Sequence, residues 1–186
     1  MRKLVVGALA VGSVAAIVLP AVSSAATSSN TTLQINVTGG DISISAPAGP
    51  VVLGSGDLTT GTLSGTFTNS VGSVAVTDNR GALAASWTVN AAFTDWHPST
   101  AGASDHTADV SAATTLYTTG SKTAGNAVFV SLASAAGLGS LLPVASGTGV
   151  GINSATWNPT VAVPKAGFTT AATYTATLTH SVTVIA

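Results

Sequence analysis

The stretch LAASWTVNAAF, residues 83–93, alternates between apolar and small or polar side chains over a full strand length. Because successive side chains of a β-strand point to opposite faces, this alternation predicts a strand with one face in a core. The largest side chain of that face, Trp87, lies at its centre and needs a second apolar layer to cover it. The apolar face comprises Leu83, Ala85, Trp87, Val89, Ala91 and Phe93.

The last segment of the chain alternates in the same way and offers that second layer. Its opposite face is rich in threonine. A hairpin is predicted around Gly39-Gly40, between the alternating segments 33–37 and 42–44. With one helical turn expected within residues 133–142, the pattern predicts an all-β fold, an antiparallel β-sandwich of two packed sheets with little helix. The apolar face of the last segment comprises Tyr174, Ala176, Leu178, His180, Val182 and Val184.

Two segments are predicted to interrupt the strands. The first is DNRG, residues 78–81, which has the residue types of a turn into the Trp87 strand. A local ion pair between Asp78 and Arg80 would fix this turn and add little stability at a surface. The second is GTGVG, residues 147–151, which predicts a flexible connection.

The first 26 residues have the pattern of a secretory signal peptide. A basic start, Arg2-Lys3, precedes an apolar run to Leu19, and small residues end it at Ala26. Cleavage there leaves a single expected domain, residues 27–186, with three basic residues against six Asp and a net charge of −3. This balance argues against nucleic acid and anionic membranes as partners, because phosphate binding needs clustered Lys and Arg.

Two passages resemble the WxL-type cell-wall-associated domain of Gram-positive bacteria. The first is DNRG at 78–81 leading to SWTV at 86–89, and the second is VAVP at 161–164 followed by AATYTATLTHSV at 171–182. The resemblance covers most of the chain after residue 26, in the same order. It implies an exported all-β protein that binds non-covalently to the cell wall, with peptidoglycan or a wall glycan, and other surface proteins, as partners.

The chain departs from both signature tripeptides of that family. Val89 stands where the motif has Leu, and His180 stands where the second tripeptide has Trp. Under the resemblance, the candidate binding residues are Trp87 and His180. Trp96 is a third candidate for contact with a glycan or protein, because it lies beside Pro98 in a loop where its ring can be exposed. The alternation places Trp87 and His180 on core-facing sides, so a purely structural role stands beside the binding role for both.

The loop after the Trp87 strand concentrates side chains that ligate metals. Three of the six Asp and two of the three His fall within fifteen residues. Carboxylate oxygen and imidazole nitrogen bind cations, so a bound cation is one hypothesis and an ordinary polar surface loop the other. No EF-hand or tight zinc spacing is present. The five candidates are Asp95, His97, Asp105, His106 and Asp109.

Enzyme motifs are sparse in this sequence. It contains no Cys, no Glu and no Gly-x-Ser-x-Gly nucleophile elbow. We therefore expect a non-enzymatic protein without a cofactor, a structural or adhesion module at the cell wall. Two alternatives stay open: a self-associating surface-layer or fibre subunit, and a small secreted hydrolase that uses residues of the Asp95–Asp105 loop.

Overall fold

The computed structural model describes residues 32–59, 61–132, 135–137 and 139–185. The chain divides into two compact units, Met1–Asn36 and Val37–Ala186. The predicted signal peptide, residues 1–26, lies outside the described residues. Among the residues that are described, no helix is long and apolar enough to cross a membrane.

The second unit is all-β, as the alternating segments predicted. It consists of antiparallel strands and two single turns of 3-10 helix, at Ala112–Thr114 and Lys165–Gly167. The strands are β1 (Ile42–Ser45), β2 (Thr66–Ser70), β3 (Val74–Phe93), β4 (His97–Pro98), β5 (Leu116–Thr118), β6 (Lys122–Ala124), β7 (Val128–Ser131), β8 (Ala135–Ala136), β9 (Leu142–Trp157), β10 (Thr160–Pro164), β11 (Tyr174–Thr175) and β12 (Leu178–Ile185).

Two sheets pack face to face, and a small third ladder flanks them. The first sheet is organised around the long pair β3–β9; β1 and β12 pair with β3, while β6 and β7 pair with β9. The second sheet has the order β2-β10-β5-β8, and β11 pairs with β4. Buried side chains from both sheets form one core, with Trp87, Trp157 and Tyr117 as its largest members.

The face predicted for the Trp87 strand is confirmed from Ala85 to Phe93, which alternate as buried residues. Trp87 pairs across the ladder with Gly147, where a Cβ would collide with the indole ring. Glycine at this position therefore leaves the space that the largest core side chain occupies. Leu83 departs from the prediction and is 87% exposed, because the β3–β9 register shifts between Ala82 and Ala85.

Both predicted interruptions are wrong. The DNRG segment runs through β3 as an irregularity after Asp78, with Gly81 at a φ of 69°. A bulge of this kind needs a residue that tolerates left-handed backbone, which is the same demand that a tight turn makes. The GTGVG segment lies inside β9.

Three further predictions are corrected by the strand pairing. The last segment does not cover the Trp87 strand but lies beside it in the same sheet, with Val182 opposite Val89. Residues 32–41 form no strand, so the hairpin at Gly39-Gly40 is absent, and β1 pairs with β3 instead. The segment 133–142 has no helical turn among its described residues and carries the short strand β8.

Candidate functional site

The main concave feature is a cleft of about 890 Å³ on one side of the sandwich. Its walls come from both sheets, with Phe93 and Leu178 from the first and Val161 and Val163 from the second. The loop 46–59 and the segment 168–177 complete the lining. The cleft is therefore lined by strands of both sheets and bounded by loops that can vary without disturbing the strands.

Aromatic rings form a continuous cluster along the cleft. Phe93 stacks on Trp96 with 6.4 Å between the ring centroids, and Trp96 meets Phe168 edge-on at 6.3 Å. Phe168 in turn contacts Phe67 at 5.5 Å and Tyr174 at 4.8 Å, both in T-shaped geometry. Such offset and edge-to-face pairs are favourable, so the rings form a rigid apolar surface with a polar handle at the Tyr174 hydroxyl.

Trp96 is held in place from two directions. Its backbone forms a bridge with Val110, and its indole N–H donates to the Thr115 hydroxyl at 3.0 Å. The side chain is half-buried in the cleft wall, so it does not project freely from the loop. Its contact surface is therefore limited to the part that faces the cleft.

His180 also lines the cleft, and it is half-buried. Its Nε2 lies 3.0 Å from the hydroxyl of the fully buried Tyr117. Burial lowers the pKa of His180 to about 4 and raises that of Tyr117 to about 12. The imidazole is therefore neutral at pH 7, and its Nε2 shares a hydrogen bond with the Tyr117 hydroxyl, which agrees with the structural role considered for it.

Trp87 has no exposed surface, so it cannot contact a ligand. Its indole N–H donates to Asn153 Oδ1 at 3.1 Å, and Asn153 Nδ2 donates to Asp78 Oδ2 at 3.3 Å. Asp78, which is fully buried, also accepts from Arg80 Nε at 2.8 Å and Nη2 at 2.7 Å. The bonds from Arg80 hold the pKa of Asp78 below its ordinary value. The predicted ion pair exists, but it belongs to a buried network and not to a surface turn.

Three of the five candidate metal ligands converge at the end of the cleft wall. The Asp109 carboxylate lies 2.7 Å from His97 Nδ1 through Oδ1 and 2.8 Å from His106 Nδ1 through Oδ2. Because an ionised carboxylate only accepts, each imidazole donates its Nδ1 hydrogen in this arrangement. The bonds from His106 and His97 hold the pKa of Asp109 below its ordinary value.

The other two candidates accept hydrogen bonds from backbone N–H groups of the loop. Asp95 Oδ1 accepts the Ala112 N–H at 2.7 Å, and Asp105 Oδ1 accepts the Thr107 N–H at 3.0 Å. Asp95 nevertheless borders the cavity of about 420 Å³ in front of His97, His106 and Asp109. The segment 175–177 separates this cavity from the main cleft, because it lines both.

Several residues of these sites were not predicted from the sequence. Phe67 lies far along the chain from Phe168 and Tyr174, and only the folded structure brings the three rings together. Asn153 had no signal beyond being a polar residue within a strand. The alternation that places Asn153 on the same face as Ala155 and Trp157 is the one feature that could have marked it.

No known protein family, no curated protein and no solved structure matches this chain. The resemblance to the WxL-type domain accordingly remains an expectation carried by the residues quoted above.

Proposed function

We propose that the protein is an exported module that binds a cell-wall glycan non-covalently through the aromatic cleft. The observation that carries this proposal is the combination of a preformed cleft of about 890 Å³ with five aromatic rings in contact along it. Two of the residues expected to bind, Trp96 and His180, line this cleft. Wall association and export come from the sequence pattern of residues 1–26 and the WxL-type resemblance.

The chemistry of the lining suits a neutral sugar polymer. Aromatic faces pack against the C–H side of a sugar ring, and side-chain hydroxyls exchange hydrogen bonds with its hydroxyl groups. Five threonines line the cleft, whereas Asp57 is its only carboxylate. Few charges have to be desolvated on binding, which favours a neutral ligand over a phosphate-rich one. The threonines are Thr59, Thr170, Thr173, Thr175 and Thr177.

The test is sedimentation of the protein with purified Gram-positive cell walls. We expect the wild-type chain to pellet with the walls and Trp96→Ala to stay in solution. Trp96→Ala also removes the packing of Trp96 against Phe93. A second variant, Ala171→Trp, therefore removes no contact and obstructs the cleft with an added indole at its rim. Ala84→Trp, at an exposed position on β3 away from the cleft, is the matched control.

The pattern of pelleting decides the proposal. Loss of pelleting in Trp96→Ala and Ala171→Trp, with retention in Ala84→Trp, supports the cleft as the binding surface. If all four proteins pellet, the surface that contacts the wall is another face of the protein and not the cleft. A wild-type protein that stays in solution with every wall preparation, including walls stripped of secondary polymers, overturns wall binding.

Self-association is a second candidate, favoured by a separate observation. Leu33, Ile35 and Val37 are 87%, 87% and 89% exposed, although they alternate like a strand. An exposed alternating segment of this kind can add to a sheet edge of another copy. Sedimentation velocity over a range of concentrations tests this, with Ile35→Lys against the control Gln34→Lys. Monomeric wild-type protein at high concentration rejects it; an association that only Ile35→Lys abolishes supports it.

A further inference from the structure

The cluster of His97, His106 and Asp109 is a second site, separate from the cleft. One ligand atom from each residue lies within 4.8 Å of the other two. Zinc bonds of about 2.0–2.2 Å to nitrogen and oxygen place ligand atoms of a tetrahedron roughly 3.3–3.6 Å apart. Side-chain rotations are therefore enough to reach coordination distance, with no change in the strands.

The backbone around the cluster is fixed by pairing at both ends of the loop. His97 lies in β4 opposite Thr175 of β11. Trp96 precedes His97 and forms a bridge with Val110, which follows Asp109, so the bridge holds His97 and Asp109 close together. The two ends of the segment 97–109, thirteen residues enclosed by the Trp96–Val110 bridge, are thus fixed by backbone pairing before any ion binds. A preformed ligand set of this kind loses little conformational entropy on binding.

The negative charge of Asp109 is not paired with a permanently charged side chain among the described residues, so a cation can bind there. Its side chain is only 11% exposed, and within the described part of the chain its ion-pair partners are His97 and His106 alone. Neither partner carries a permanent positive charge, unlike Arg or Lys. A divalent ion can take the place of the two hydrogens that now lie between the carboxylate and the imidazoles.

We propose that His97, His106 and Asp109 bind a divalent transition-metal ion of the zinc class. Two imidazole nitrogens and one carboxylate oxygen favour zinc and its neighbours over Mg²⁺ and Ca²⁺, which prefer oxygen ligands throughout. Three protein ligands leave at least one position open, as in zinc sites that keep a bound water. The cavity of about 420 Å³ bordered by the three residues, Thr94 and Thr177 gives room for that water.

An ion held by His97, His106 and Asp109 would lie outside the cleft but next to residues that line it. The segment 175–177 lines both cavities, and Trp96 precedes His97 directly. Binding to the folded chain alone stabilises that chain in proportion to the logarithm of the ion concentration. We therefore expect the melting temperature to rise with added zinc.

The experiment is isothermal titration calorimetry of the full chain, produced without an affinity tag, with ZnCl₂ and with MgCl₂. We expect one zinc per chain and weaker or no binding of magnesium. His106→Ala is the first variant, because the His106 side chain is 69% exposed and we expect the fold to tolerate its removal. Asp109→Asn is the second, and Asp57→Asn removes an exposed carboxylate from another loop as the matched control.

The results separate a defined site from general surface binding. A loss of at least about tenfold in zinc affinity in both His106→Ala and Asp109→Asn, with Asp57→Asn unchanged, supports the site. Absence of saturable zinc binding overturns it, and so does equal affinity in His106→Ala and wild type. Cobalt(II) gives an independent readout: visible absorption bands of tetrahedral intensity in wild type that disappear in His106→Ala support the site, and bands of the same intensity in both overturn it.

Discussion

Asp78 and Asp109 are both carboxylates with two side-chain partners, yet their surroundings differ in one respect. Asp78 is completely buried, and its partners are the permanently charged Arg80 and the amide of Asn153. Asp109 is 11% exposed, and its partners are two imidazoles, which carry no permanent charge. The first carboxylate is neutralised from within the fold, whereas the second has no Arg or Lys as a partner among the described residues.

This difference separates a structural ion pair from a candidate site. A buried charge must be paired within the fold, since leaving it uncompensated costs several kcal/mol. The network from Trp87 to Arg80 meets this demand with groups of β3 and β9 only. The cluster around Asp109 borders a cavity instead. Loss of the first group should therefore destabilise the fold, and loss of the second should change what the protein binds.

Asp78→Ala is expected to have the largest effect. The substitution leaves Arg80 without its counter-ion and removes the buried carboxylate to which Asn153 Nδ2 donates, so we expect the free energy of unfolding to fall by about 3–5 kcal/mol. Urea denaturation followed by tryptophan fluorescence measures this. Asp41→Ala, at an exposed carboxylate, is the control and should change little. Equal and small losses in both variants would show that the network does not stabilise the fold.

The second-largest expected effect is the pH dependence that His180 gives to the free energy of unfolding. Burial lowers its pKa in the folded chain to about 4, against an ordinary value of 6.5 in the unfolded chain. Above pH 6.5 both states hold a neutral imidazole, so it contributes no pH dependence. As the pH falls from 6.5 to 4, only the unfolded state takes up the proton, and stability falls by up to about 3 kcal/mol.

The measurement is the free energy of unfolding of wild type and His180→Gln at several pH values between 7 and 4. Glutamine still offers an acceptor to the Tyr117 hydroxyl but does not titrate in this range. We expect the wild-type curve to decline more steeply than that of the variant, with the two parallel above pH 6.5. Parallel curves throughout would mean that His180 takes up its proton equally well in the folded chain.

The hydrogen bond from Trp87 to Asn153 should account for about 1 kcal/mol. Trp87→Phe removes the donor together with part of the ring. Trp157→Phe removes the same atoms at another fully buried indole, whose N–H has no hydrogen-bond partner in the described part of the chain. We therefore expect Trp87→Phe to lose more stability than Trp157→Phe in urea denaturation. A larger loss in Trp157→Phe would indicate that packing alone sets the cost at both sites.

The sequence predicted which side of the Trp87 strand is buried, because alternation depends only on the geometry of the strand. It did not predict which strand covers it, since the alternating face of residues 178–184 fits a neighbour in the sheet as well as a facing layer. The residues DNRG are typical of a turn but form a bulge in β3, because Gly81 suits a turn and a bulge equally well. Only three of the five metal candidates bring their ligand atoms together in the fold: Asp95 and Asp105 have the same chemistry as Asp109 but bond to N–H groups of the loop.

His106→Ala should have the smallest effect on stability and completes the comparison with Asp78. Most of the His106 side chain is in solvent, and exposed ion pairs often contribute nothing measurable. In the presence of EDTA we expect urea denaturation to show no resolvable change from wild type. With zinc added, the melting temperature of wild type should rise while that of the variant stays constant. If His106→Ala instead destabilised the chelated protein as strongly as Asp78→Ala does, the cluster would be a structural ion pair, and the distinction between the two carboxylates would fail.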